Sequence, residues 1–425
     1  MEKAGLKYSM VFLMLFLSTS FVVTNDIVSS VLTIALWIVV MLGILYISQF
    51  RIEISVFCIT IFTSIWIFGT SLINGENIIS NSKSVFGIIA AGILASSLNF
   101  DEYAKIFIKV MKFLMIVSLV GYVLHLIIPG LFYLITVTNR SGEVFSNWIL
   151  YIQNLYNSSG VYRNYGYAWE PGAFSTFICL AMMLEVFLPT TNLTFKSLML
   201  YLITVLTTFS TTGITAAIIL TVYLLMTNNG LSNNEKKIVF VSMLFMVVVM
   251  FGLQGVLFDR TKNSAFGKLI NYSKGRSGST SVRVNSVTKV FMAIFRRPLF
   301  GWGYDGLNRE LYEYTYNMNT CTFLNWFAVY GIPFGCVMIV GILKFVSLFS
   351  AKRLNQIFML FYMFLITISE NYVNTPIIFL MIFVGYKLES APLRIFEGGG
   401  ELSKSFLFPD FGIQRNSGRK VILLA

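Results

Sequence analysis

Charge is scarce in this chain. Asp, Glu, Lys and Arg make up 12% of its 425 residues, about half the share usual in soluble domains. There is one histidine, His125, and there are four cysteines, Cys58, Cys179, Cys321 and Cys336. The cysteines fall mostly inside apolar runs and show no paired spacing, so neither a disulfide framework nor a zinc site is indicated. Without a second histidine or a Cys/His cluster, no metal centre is expected, and no cofactor signature stands in its place. Acidic residues are outnumbered 31 to 19, for a formal net charge of +12. Nucleic acid is excluded as the reason, because no soluble basic domain or recognition motif carries the charge. Anionic lipid headgroups or a phosphate-bearing substrate remain as partners.

What is abundant is apolar surface: 56% hydrophobic residues, 16% aromatics and a mean hydropathy of +0.76. This composition predicts an all-α polytopic membrane protein. The first apolar run, Tyr8 to Val23, ends in Thr24-Asn25-Asp26 without a small-x-small cleavage pattern, so it reads as a span and not a signal peptide. A span needs about 20 apolar residues, with tilt absorbing shorter and longer runs. About twelve are expected, at 8–24, 27–49, 54–73, 84–99, 113–135, 172–189, 196–210, 213–227, 237–258, 321–348, 354–373 and 375–388. Residues 1–388 then form one transmembrane domain, and 389–425, with Gly398-Gly399-Gly400, a loosely ordered tail.

Lysines and arginines in the short loops set the orientation. Lys3, Lys7, Arg51, the run Lys105, Lys109 and Lys112, then Lys196, Lys236, Lys237, Lys352, Arg353 and Lys387 all fall on one side if the spans alternate. That side is expected to be the cytoplasm, with both termini there.

Two polar stretches, Thr136 to Pro171 and Asp259 to Asn319, then lie outside, as large extracytoplasmic loops with short amphipathic helices. The second carries ten cations, among them Arg276, Arg283 and Arg297, against Asp259, Asp305, Glu310 and Glu313. Long loops translocate largely regardless of charge, so single cations read as solvated surface or as anion ligands. The first loop ends Trp169-Glu170-Pro171-Gly172. Proline suits the first turn of a helix, which puts Glu170 at its cap, at the positive end of the helix dipole. Glu170 either only caps the helix or serves an acceptor hydroxyl, with Arg163 nearby to hold phosphate through its planar fork. In the second loop, residues 282–295 have the helical period. Val284, Val287, Val290, Phe291 and Ile294 share one face, Asn285, Lys289 and Arg296 the other, and Arg283 falls at the apolar edge. There it either snorkels or meets an anion.

The spans themselves offer less. His125 reads as a hydrogen-bonded structural residue, and Glu185 as reaching the cytoplasmic interface. Glu370, followed by Asn371, Tyr372 and Asn374, faces the same side as the loops and is a candidate second acid.

Taken together, Arg163 separated by six residues from Glu170-Pro171-Gly172, then Arg283, Pro298-Leu299-Phe300-Gly301-Trp302-Gly303, and Leu324-Asn325-Trp326 to Gly331 resemble the Wzy-type O-antigen polymerase and ligase superfamily. The likeness spans the topology of most of the chain, while its motifs are short and lie in or next to the two loops. It implies glycosyl transfer at the outer face of the bacterial inner membrane, from an undecaprenyl-diphosphate glycan, without a metal or nucleotide. A flippase and a chain-length regulator are the partners the resemblance adds. Arg163 and Arg283 then meet the diphosphate and Glu170 the acceptor, with Arg276, Arg297, Asp305 and Glu370 as further substrate contacts. Ligases of this superfamily carry a histidine ahead of the Leu-x6-Gly helix. Here Asn319-Thr320-Cys321-Thr322-Phe323 has none, which favours polymerase over ligase. A lipid-linked oligosaccharide flippase is the rival from another class, although transporters concentrate charge near the midplane and not in loops.

Overall fold

The structure, a computed structural model, describes residues 2–48, 51–139, 142–156, 162–188, 190–191, 193–227, 232–248, 279–315, 320–350, 352–368, 370–387 and 421–423. It is mostly helical. In chain order the helices are α1 (Glu2–Thr19), α2 (Phe21–Thr24), α3 (Ser30–Ser48), α4 (Ile54–Ile73), α5 (Ile78–Ser97) and α6 (Phe100–Ile127). After the first polar loop come α7 (Pro171–Phe187), α8 (Phe195–Thr208), α9 (Thr211–Met226) and α10 (Asn233–Val248). The remainder are α11 (Ser279–Arg296), α12 (Tyr304–Thr315), α13 (Thr322–Tyr330), α14 (Ile332–Ser347), α15 (Arg353–Thr367) and α16 (Pro376–Tyr386).

Among the described residues, α3, α4, α5 and α6 are long and apolar enough to cross a membrane. At 1.5 Å per residue, the 20 residues of α4 extend about 30 Å, the thickness of a hydrocarbon core. Their outward faces are apolar: Val39 and Leu42 on α3, Ile65 and Ile73 on α4, and Val120 and Ile127 on α6 are all exposed. Such a belt is unfavourable in water and suits lipid. Other apolar helices, including α7, α8, α9, α14, α15 and α16, are 17 residues or shorter.

Burial separates the centre of the bundle from its rim. On α7, every residue from Ala173 to Glu185 is buried, and on α16 every residue from Pro376 to Gly385. Both helices begin with proline at the first turn, where its missing N–H removes no intrahelical bond. Side chains cap several other starts. Asn77 accepts from the backbone N–H groups of Ile79 and Ser80 (3.0 and 3.3 Å), Thr194 from Ser197 (3.2 Å) and Ser210 from Gly213 (3.3 Å).

The helical class stands, and several finer expectations are corrected. The first loop, expected to hold short amphipathic helices, folds as an antiparallel sheet of β2 (Thr136–Thr138), β3 (Val144–Asn147) and β4 (Ile152–Asn154), with β3 in the middle. Short segments rich in Thr, Val and Ile supply the strands, and Phe145 and Ile152 pack them on Phe21 of α2. The tail contributes β5 (Val421–Leu423), antiparallel to β1 (Arg51–Glu53), while the glycine run lies outside the described residues. The span expected at 321–348 is two helices that meet at Gly331, whose φ of +89° breaks the helical path. The helix expected from residue 113 starts at Phe100 and ends at Ile127, followed by a 3₁₀ turn, Pro129–Tyr133. Asp101 and Glu102 occupy its positive first turn, paired with Lys105 (2.6 Å) and Lys7 (2.8 Å).

Candidate functional site

The first loop reaches α7 through Tyr162 to Glu170. Backbone bonds from Phe21 N–H to the Tyr167 carbonyl (3.0 Å) and from Asn164 N–H to the Thr207 carbonyl (2.9 Å) tie it to the ends of α2 and α8. Arg163 extends to the same end of α8. Its Nε donates to the Thr208 carbonyl at 3.0 Å, and Nη2 donates to the Phe209 carbonyl at 3.4 Å. Those carbonyls belong to the last turn of α8 and its left-handed C-cap, which lack helical partners and attract a cation.

Glu170 is the N-cap of α7, as expected, yet its side chain accepts no capping hydrogen bond and is exposed. Capping therefore does not occupy its carboxylate. Arg163 and Glu170 both act on the phenol of Tyr165. Burial pushes this phenol up, Arg163 draws it down, Glu170 and Glu143 push it up again, and a hydrogen bond with Asn154 lowers it.

Glu370 stands at the same helix start. It is buried, and its Oε1 occupies the space where a Cβ on residue 172 would be. Its carbonyl accepts from Thr322 Oγ1 at 3.0 Å. Next to it, Tyr372 packs edge-on against Trp169, with ring centroids 5.7 Å apart. Burial, then Glu370, then Glu170 push the Tyr372 phenol well above its ordinary range. Two carboxylates near the start of α7 thus act on one buried phenol.

The second loop lands on the turn between α4 and α5. The N–H of Asp305 donates to Glu76 Oε1 (2.8 Å), whose Oε2 accepts from Asn81 Nδ2 (2.9 Å). Arg297 stacks over Trp302 at 4.2 Å and donates to Asn74 Oδ1 at 3.1 Å. Glu76 is buried and gave no sequence signal, because an acid in a short turn is ordinarily solvated. Segment 370–375 joins this region to the first loop. Tyr372 touches Trp169, while Tyr330 donates to Asn374 and the N–H of Trp302 to the Ala328 carbonyl.

Of the remaining predicted residues, Arg276 lies outside the described residues. Arg283 belongs to α11, and its side chain also lies outside them. The buried face of α11 is Val290, Ala293 and Ile294, whereas Phe291 is 54% exposed beside Met292 and Phe295. Val290 and Ile294 of the expected apolar face are therefore buried, while Phe291 departs from it and faces outward. His125 is buried between Phe132 and Tyr162, and neither ring nitrogen has a hydrogen-bond partner among the described residues, unlike the hydrogen-bonded residue expected. Glu185, expected to reach the cytoplasmic interface, lies in the last turn of α7. It is buried, accepting from Lys112 Nζ at Oε1 and from the Tyr201 hydroxyl at Oε2, each at 2.7 Å. Lys112, expected in a cytoplasmic loop, instead points inward from α6.

No family model matches the chain, and it matches no curated protein and no solved structure.

Proposed function

We propose that this protein is a polysaccharide polymerase of the bacterial inner membrane, with about twelve spans and both termini in the cytoplasm. It transfers a glycan from undecaprenyl diphosphate to a hydroxyl of another lipid-linked repeat unit, on the outer face. The observation that carries this reading is that Glu170 caps α7, Glu370 lies against Gly172 in the first turn of the same helix, and Arg163, just ahead in the first loop, docks on the end of α8. The chain order of the helices supports a common side for both loops. The α1–α2 and α8–α9 ends touch the first loop, and the α4–α5 turn touches the second.

In the reaction, Glu170 accepts the proton of the acceptor hydroxyl as its oxygen bonds to the anomeric carbon. The bond from that carbon to the diphosphate oxygen breaks, and the diphosphate departs with the electron pair. Arg163 and Arg283 stabilise the charge that develops on it. Glu370, at the positive end of α7, contributes to acceptor binding, and Arg276, Arg297 and Asp305 to glycan contacts.

The test is the glycan profile of cells carrying Arg163→Ala, Glu170→Ala or Arg283→Ala. Each variant is expected to insert normally and to leave single-repeat glycans. Ladders of normal length in all three would remove the site assignment. Reporter fusions at residues 150 and 280 are expected outside the cytoplasm, and a cytoplasmic signal from either would remove the topology.

A further inference from the structure

Beside the α4–α5 turn is a cleft of about 470 Å³, lined by Ile73, Asn74, Arg297, Trp302, Arg309 and Glu310. Its charges are unevenly matched. Glu310 is paired with Arg296, which leaves the two arginines of the lining without a carboxylate among the described residues. Arg297 is also held still, by the Trp302 ring on one side and by Asn74 Oδ1 on another. Both partners are neutral, so the guanidinium is oriented but not neutralised. One of its five N–H donors is used, and the planar fork that remains matches a carboxylate.

We propose that this cleft binds a carboxylate-bearing sugar of the glycan. The inference rests on the polymerase reading and adds to it a substrate class, an acidic repeat unit. The volume is in the range of ligand sites and far exceeds the needs of a lone anion. Ile73 gives an apolar wall for the C–H face of a ring, and Asn74 and Glu310 offer hydrogen bonds to hydroxyls. The lining Glu310 carboxylate opposes a densely charged diphosphate more than a singly charged sugar, since repulsion scales with the charge brought near it.

The test is calorimetric titration of the full-length protein in detergent with trigalacturonate, with the neutral galactosyl trisaccharide, and with inorganic pyrophosphate. Wild type is expected to bind trigalacturonate at least about 10-fold more tightly than the neutral sugar, the scale of one charge-assisted hydrogen-bonded pair. Arg297→Gln/Arg309→Gln should abolish that preference while unfolding at the wild-type temperature. Equal binding of both sugars by wild type would overturn the proposal without any variant. So would binding of pyrophosphate alone that is lost in the double variant, because the cleft would then serve the diphosphate. Glu170→Gln separates the two readings. It should stop glycan extension and leave trigalacturonate binding unchanged, and extension that persists removes the polymerase reading while the binding result stands.

Discussion

The carboxylate of Glu370 fills the space beside the α-carbon of Gly172, where any other residue would carry its side chain. Nearly half the chain separates the two, yet they meet at the first turn of α7, whose unpaired N–H groups attract a negative charge. Gly172→Ala therefore forces Glu370 to move. The obstructing atom is the far end of a flexible side chain, so the expected cost is about 1 kcal/mol, the low end for overpacked sites, measured by thermal unfolding in detergent. Glu370→Ala in the same chain removes the obstruction, so the double variant should lose less than the two single changes combined. Strict additivity would show that the two sites are not coupled.

The Lys112–Glu185 pair gives a second prediction. Glu185 is 5% exposed and also holds the Tyr201 hydroxyl. Lys112→Met leaves that carboxylate buried without its cation, a change that ordinarily costs about 3–5 kcal/mol. Partial exposure of Lys112 puts the expected loss at the lower end. Lys112→Met/Glu185→Gln should recover part of the stability, and a double variant less stable than Lys112→Met would contradict this account.

Arg163 is expected to be irreplaceable by lysine. Its Nε and Nη2 reach two different carbonyls at the α8 end, and a single ammonium does not reproduce that planar arrangement. Extension of a lipid-linked repeat unit in vitro should fall on the order of 100-fold in Arg163→Lys, the scale of one lost transition-state donor. Full activity in this variant would exclude the guanidinium from charge stabilisation.

Alkaline pH should loosen the first loop. Burial raises the phenols of Tyr165 and Tyr151, so the folded state keeps protons that the unfolded chain gives up near pH about 10. The stabilisation from these phenols is complete below that value and is lost as pH rises toward the folded pKa. Limited proteolysis of the loop should accelerate above pH about 10, with a higher onset in Tyr165→Phe. The same onset in wild type and variant would show that this tyrosine does not control the transition.

Gly331 ends α13 at φ +89° and ψ 167°, a region open essentially to glycine. A Cβ there would also overlap the Leu299 carbonyl, and backbone cannot rotate aside as a side chain can. Gly331→Ala should destabilise by more than the roughly 1–3 kcal/mol of backbone strain alone. Unchanged thermal unfolding would show that the α13–α14 junction can be rebuilt.

Much of the fold was legible because it depends on local composition. Runs such as Ser30–Ser48 and Ile54–Ile73 are apolar enough to declare a span without any partner, and the Glu170-Pro171 step marks a helix start through proline chemistry alone. The first-loop sheet was not legible, since strands of three and four residues are too short for a period to show. On α11 the expected stripe is covered in part, with Val290 and Ile294 buried and Phe291 exposed. Periodicity defines an apolar stripe, but neighbours choose which part of it to cover.

The site divides along the same line. The sequence by itself determined that polar loops with arginines and a helix-capping acid flank apolar spans, because each of those features follows from residue types a few positions apart. Only the tertiary structure decided that Glu370 shares a helix start with Glu170, that Arg163 closes the end of α8, and that Glu76 and Asn74 receive the second loop. Those relations join residues far apart in the chain, and they exist only where the bundle brings buried carboxylates against helix starts and cations against helix carbonyls.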